Sequence, residues 1–393
     1  MELNIQTGTL LLLIAAVVAM LTRRLRLPYS VGLVAAGIVL ATLPLALKIV
    51  LTKNLIYTAL LPPLLFEAAL SIHWAQLRRN LSLIVVLATL GVLLSACVTA
   101  TGMHYLMHWQ WAGALVFGVL IAATDPVSVI AIFKEAKAHG RLLVLIEAES
   151  LLNDGTAAVA FGVFVALASG QQLTSIEITA MLLKTIAGGI LCGAMVALGA
   201  LLLAGRTDDH LVEITFTTVA AYGSFLLADH FGLSGVLATI TAGLVVGNFK
   251  SLGAISQRGN EAIQAFWEYA AFVANSLVFL LIGMHEAHQN FAAIWLPATI
   301  AIALVTLGRA FAIYPSCLLF SLSSLRVTGK HQLVLFWGGL RGALALALAL
   351  GLPPAVPLRE EIITISFAVV AFSVFVQGLT MAPFLRRMGE IAR

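Results

Sequence analysis

Four carboxylates and two guanidiniums stand in the middle of apolar stretches of this chain: Asp125, Glu147, Glu149, Asp154, Arg309 and Arg341. A charge at a helix centre in lipid costs about 2.5–3.5 kcal/mol on insertion scales, and ionisable groups at that depth mark ion pathways or paired sites by default. The densest group is Glu147-Ala-Glu149-Ser150-Leu-Leu-Asn153-Asp154-Gly155-Thr156. On a helix, Glu149 stacks with Asn153 and Ser150 with Asp154, each pair one turn apart. Neighbouring strips of one face then carry carboxylate, hydroxyl and amide oxygens. Hard cations such as Na⁺ are held by oxygens of this kind. Cys97, Cys192 and Cys317 lie singly in apolar runs and read as small hydrophobes. With no histidine cluster either, a transition-metal site is not indicated. The plainer alternative is a hydrogen-bonded seam between helices that holds no ion.

Two further segments combine a charge with a helix breaker. In Thr124-Asp125-Pro126-Val127-Ser128 the proline removes an amide donor and frees the carbonyl of Ala122. Broken backbone at membrane depth is tolerated only where protein or a water-filled cavity satisfies it. In Trp337-Gly338-Gly339-Leu340-Arg341-Gly342-Ala343 three glycines surround the buried arginine, which predicts a second interruption. Glu67, Glu268 and Lys184 lie nearer the ends of their apolar runs.

These residues need elements that cross a bilayer. Of 393 residues only 10% are charged and 61% are hydrophobic, with a mean hydropathy of +1.04. Soluble proteins carry roughly 25% charge, so this composition excludes a water-soluble globule. The net charge of +4 is spread over short loops, without the basic stripe that nucleic acid requires. Spans of about 20 apolar residues are expected near 7–22, 29–46, 54–71, 81–105, 112–136, 141–169, 177–205, 209–228, 232–249, 260–284, 290–320, 331–351 and 361–388. With the N-terminus outside, 16 of the 22 Lys and Arg residues fall in inner loops and the tail, among them Arg23, Arg24, Arg78, Arg79, Arg141 and Arg326. Only Lys48, Lys53 and Arg359 fall outside, and the positive-inside rule then places the C-terminus in the cytoplasm. The first apolar run has no preceding positive charge, so it reads as a retained helix rather than a cleaved leader. The expected fold is an all-α polytopic membrane protein of about 13 transmembrane helices in a single transporter domain. Its two six-helix halves, about 7–169 and 209–388, flank a linking helix at about 177–205, and the second half is inverted. Interrupted helices at matching places in inverted halves point to a transporter's midplane site.

The chain resembles the monovalent cation:proton antiporters, in particular the bacterial NhaP-like branch related to animal sodium/proton exchangers. The strings that carry the resemblance are Leu61-Pro-Pro-Leu-Leu-Phe-Glu67, Thr124-Asp125-Pro126, Glu149-Ser150-Leu-Leu-Asn153-Asp154 and Gly338-Gly-Leu-Arg341-Gly342, in an order that covers nearly the whole chain. The resemblance implies an NhaA-like antiporter fold with broken crossing helices, a homodimer, a bacterial inner-membrane location and a part in pH homeostasis. It implies no cofactor beyond the transported Na⁺ and H⁺, and no enzymatic activity. By the same resemblance Asp154 is the essential carboxylate for cation and proton. Asp125, the Thr124 carbonyl and Ser150 contribute to the Na⁺ site, with Glu149 and Asn153 as supporting polar groups. Glu67 approaches from the third span, and Arg341 holds the acids and the crossing helices in register. Two departures stand out. Many relatives have a cytoplasmic regulatory domain, which is not expected here after the last span. Gly155-Thr156 follows the Asn-Asp pair where some relatives have proline.

Antiport needs one site that holds a cation or a proton in turn. Desolvation favours the protonated form of a carboxyl and a bound cation favours the ionised form, so the two compete. Asn153 does not titrate, which leaves one exchangeable charge in the Asn-Asp pair and predicts electroneutral 1:1 exchange of Na⁺, with Li⁺ as a further substrate. The alternatives are K⁺/H⁺ exchange on the same scaffold and, behind it, a sodium-coupled symporter, which would need another solute pocket. An intramembrane hydrolase lacks a mid-span base. Arg309 is expected to pair with a buried acid, Glu268 or another. His285-Glu286-Ala287-His288 lacks the gap of a zinc motif and is expected to be a solvated helix end. Gly189-x-x-x-Gly193 predicts a close helix contact, within or between subunits.

Overall fold

The computed structural model describes residues 5–25, 27–43, 52–135, 140–249, 255–287 and 291–391, and every regular element among them is a helix. Arg26, Lys48, Lys137, Lys250, His288 and Arg393, together with the 250–254 part of the inner loop, lie outside the described residues. In chain order the helices are α1 (Ile5–Leu25), α2 (Tyr29–Thr42), α3 (Leu55–Ser71), α4 (Trp74–Met107), α5 (Trp111–Leu120), α6 (Val127–Glu135), α7 (Arg141–Ala168) and α8 (Ser175–Ala204). They continue as α9 (His210–His230), α10 (Gly235–Phe249), α11 (Gln257–Glu286), α12 (Phe291–Leu318), α13 (Gly329–Trp337), α14 (Ala343–Leu350) and α15 (Arg359–Met388). Among the described residues eight are long and apolar enough to cross a membrane unaided. The chain is thus an all-α, multi-pass membrane protein.

Two runs, α5–α6 and α13–α14, are each interrupted, at 121–126 and 338–342. These are the places where Pro126 and the glycines around Arg341 disfavour continued helix. Elsewhere the boundaries shift outward. α4 starts at Trp74 rather than near 81, because Gln76, Arg78 and Arg79 fall below any apolar window while Leu77 and Asn80 on the same turns are buried. A wide π-helical turn opens α3 at Leu55–Leu60. Pro62 and Pro63 follow it, and neither can donate an amide hydrogen to the turn behind. The carbonyl of Ala59, deprived of the Pro63 donor, accepts instead from the hydroxyl of Tyr222 on α9 (3.0 Å).

The helices sort into two packed groups. One contains α4 to α7 with α12 to α15; the other contains α1 to α3 with α8 to α11. The tightest pairings are α2 with α11, α4 with α12, and α10 with both α8 and α3. The glycines of the Gly189/Gly193 pair lie directly against the backbone of Ser234 and Ala238 at the α10 side, so this contact is made within one chain. Where the groups meet, α3 and α11 face α7 and the start of α14, and the charged segments gather there.

Candidate ion-binding site

The two interrupted runs cross at their breaks. The amide of Asp125 donates to the carbonyl of Leu340 (2.8 Å), joining one break to the other. Arg341 donates from one Nη1 to the carbonyls of Ala122 (3.0 Å) and Ala123 (3.2 Å). Ala122 is the carbonyl that Pro126 orphans, and Ala123 would have served the amide of Val127, which turns to the Asp125 carboxylate instead (3.0 Å). One guanidinium therefore satisfies two backbone acceptors that a continuous helix would have satisfied itself. The amide of Arg341 is in turn held by the hydroxyl of Ser373 (2.8 Å), which donates to Gln377 (2.8 Å).

Asp125 sits where two half-helices begin. Its carboxylate accepts from the amide of Val127, first residue of α6 (3.0 Å), and lies beside Gly342 at the start of α14. Helix N-termini carry free N–H groups and the positive end of the macrodipole, so this is the place where the fold best tolerates a negative charge at depth. Gly342 is required by close approach: a Cβ there would overlap the Asp125 carboxylate.

α7 supplies the facing wall. Its unbroken helix stacks Glu149 under Asn153 and Ser150 under Asp154. The Ser150 hydroxyl meets that of Thr124 at 3.0 Å, and the Asn153 amide reaches Glu149 (3.3 Å) and Thr124 (3.5 Å). Asp125 and Glu149 are the acidic neighbours of Asp154. Asp154 itself lines a cavity of about 430 Å³ together with Thr124, Asp125, Glu67, Glu147, Glu268 and Asn275. The exposed side chains of Arg23 and Glu268 stand at its mouth. A second cavity of about 900 Å³, walled by Arg79, Arg141, His73 and Asn80, shares Glu147 with the first. Ser71 donates to Glu147 at that junction (2.8 Å).

The structure thus brings Asp154, Asp125, Thr124, Ser150, Glu149 and Asn153 into one cluster, with Glu67 on the cavity wall beside it. Thr124 enters the cluster through its hydroxyl, which meets Ser150. The two arginines divide the work differently from expectation. Arg341 grips the crossing backbones, and among the described residues no carboxylate pairs with it. The acid is held by Arg309, whose two Nη atoms meet the Glu149 oxygens at 2.8 and 3.0 Å and whose Nη2 also donates to the Leu335 carbonyl (3.0 Å). Backbone carbonyls left bare by a proline compete for a guanidinium as effectively as a carboxylate does, which spacing alone does not reveal. Glu268, the acid suggested for Arg309, instead faces the cavity mouth and approaches Gln264 (3.5 Å). Glu286 is also corrected: it is no solvated helix end but 2% exposed. Asn275 was missed altogether. In the sequence it is a lone amide in the apolar run 273–282, without the charge that marks the other residues of the site.

The transmembrane sodium/hydrogen exchanger family matches residues 10–387 of the chain. A Na(+)/H(+) antiporter of Aphanothece halophytica is 40% identical over 93% of this chain and 70% of its own length. A Na(+)/H(+) antiporter of Halobacillus aidingensis is 33% identical over 97% of this chain and 96% of its own. The solved sodium proton antiporter of Methanocaldococcus jannaschii superposes with a TM-score of 0.79, covering 98% of both chains at 19% identity, a likeness of fold. The chain therefore belongs to the transmembrane sodium/hydrogen exchanger family.

Proposed function

We propose that this protein exchanges Na⁺ for H⁺ across the membrane by alternating access, one ion for one, at Asp154. The observation that carries the reading is the cavity that reaches Asp154 at the crossing of two broken helices. The Asp154 carboxylate meets the cavity, and among the described residues no donor holds it, while Asp125 accepts from the Val127 amide and Glu149 from the Arg309 guanidinium. Dehydrated Na⁺ needs several oxygens, and the Asp154 and Asp125 carboxylates, the Ser150 hydroxyl and Thr124 converge from two segments, α7 and the break before α6. A proton on Asp154 neutralises the same site. Charge on an empty site disfavours its passage through the dry seam between the two helix groups, which ties movement to occupancy.

The same reading extends to topology. The helices trace about thirteen crossings in two inverted halves, with the N-terminus outside. Arg23, Arg79 and Arg141 line or flank the cavities, so the positive-inside rule makes this the cytoplasmic face and the described state inward-open. A bacterial inner membrane and a homodimer accord with this reading. The protein acts as a secondary transporter rather than an enzyme and uses no cofactor. In everted vesicles energised to an acid interior, adding Na⁺ dequenches a pH dye. Dequenching by K⁺ but not by Na⁺ overturns the assignment of substrate.

A further inference from the structure

Helix α11 runs along the seam, and from Glu268 to Glu286 one of its faces carries three polar residues in an otherwise apolar wall. Glu268 stands at the cavity mouth and Asn275 lines the cavity near Asp154. Glu286 ends the helix. At 3.6 residues per turn these three fall within about 20° of one bearing, and Glu268 and Glu286 are separated by five whole turns, about 27 Å. That is close to the thickness of the hydrocarbon core. Between Asn275 and Glu286 the same face presents Phe279 and Ile282, 3% and 0% exposed, which close the route on that side.

Glu286 lies beyond this plug, 2% exposed, and among the described residues neither carboxyl oxygen has a hydrogen-bond partner. The amide oxygen of Asn275 is likewise buried without a partner. A carboxyl buried without donors is unfavourable relative to water. Its neighbour His285 stacks on Phe367 of α15 (4.0 Å), so the end of α11 lies on the seam between the two helix groups. This seam must part for the site to face the other side.

We infer that Glu286 is the cation-binding carboxylate of the opposite access route, the counterpart of Glu268 at the far end of one polar face of α11. When the seam opens on that side, water and a hydrated monovalent cation reach Glu286, and Asn275 relays the ion to Asp154. When it closes, Glu286 is stranded without partners, as described. The inference rests on the exchange proposed above.

The test is sided. Na⁺-driven proton movement is measured from each face of vesicles of known orientation. In Glu286→Gln the half-saturating Na⁺ concentration rises at least threefold on the face bearing Lys53 and Arg359 and stays within twofold on the face bearing Arg23 and Arg79. Glu286→Asp, which keeps a carboxylate, recovers part of the loss. In the wild-type protein a hydrophobic carbodiimide modifies Glu286, read by mass spectrometry, and saturating Na⁺ slows that modification at least threefold. Equal shifts on both faces, no shift on either, or labelling indifferent to Na⁺ overturns the inference. Absence of exchange by the wild-type chain would instead overturn the proposed function, so the two failures are told apart.

Discussion

Glu149 and Arg309, on helices α7 and α12, meet in a two-pronged ion pair of 2.8 and 3.0 Å with both side chains buried. The fork of a guanidinium matches both oxygens of a carboxylate, a geometry that lysine does not reproduce. The pair neighbours Asp154 on the same helix and anchors α7, which in the proposed exchange leaves Asp154 as the acid that titrates. Gly339 lets the Arg309 side chain pass, since a Cβ there would overlap it.

Breaking this pair from one side leaves an uncompensated buried charge, which costs about 3–5 kcal/mol. Arg309→Ala is therefore expected to lower the melting temperature in detergent sharply, and Arg309→Lys to fall between it and the wild type. The double variant Glu149→Leu, Arg309→Met recovers much of the stability but not the transport. Melting of Arg309→Ala at the wild-type temperature would show that the pair does not anchor α7.

Asp154→Asn preserves volume and removes the charge. Exchange should drop to the level of empty vesicles while the protein remains folded in the membrane at wild-type abundance. Substantial residual Na⁺/H⁺ exchange in this variant would remove Asp154 from the transport site.

Gly342→Ala adds one methyl against the Asp125 carboxylate. The expected result is at least a tenfold rise in half-saturating Na⁺ concentration in assembled protein. Gly199→Ala is the control, because a Cβ there meets nothing within 4 Å. If both variants transport alike, the Asp125 carboxylate is not part of the cation site.

The proposed one-for-one exchange fixes both the charge balance and the pH dependence. Below the pH at which the site titrates, half-saturating Na⁺ should rise about tenfold for each unit by which pH falls, the slope that linkage allows for a single competing proton. Under a clamped membrane potential a sodium gradient should drive proton movement without current. A steeper slope or a sustained current would require a second exchanged proton.

How much of this was legible in the residues follows from which forces are local. The span-length apolar runs, the break at Pro126, the break among Gly338, Gly339 and Gly342, and the oxygen-rich face of Glu149 to Asp154 all depend on neighbours within a few positions. Helix periodicity and backbone chemistry act over that range, so these features could be read directly. The shared face of Glu268, Asn275 and Glu286 follows the same periodicity, but only their surroundings distinguished a cavity mouth, a cavity wall and a sealed carboxyl. The partners of the arginines were not legible. Arg309 finds Glu149 from another helix, and Arg341 finds carbonyls rather than acids, because those choices are set by where packing leaves an unsatisfied group. The Gly189/Gly193 contact had the same character: spacing marked a surface that permits close approach, and the tertiary structure decided that α10 of the same chain fills it. In lipid a backbone group freed from its own helix must find a partner through space, and distance in space is fixed by packing of helices far apart in the chain.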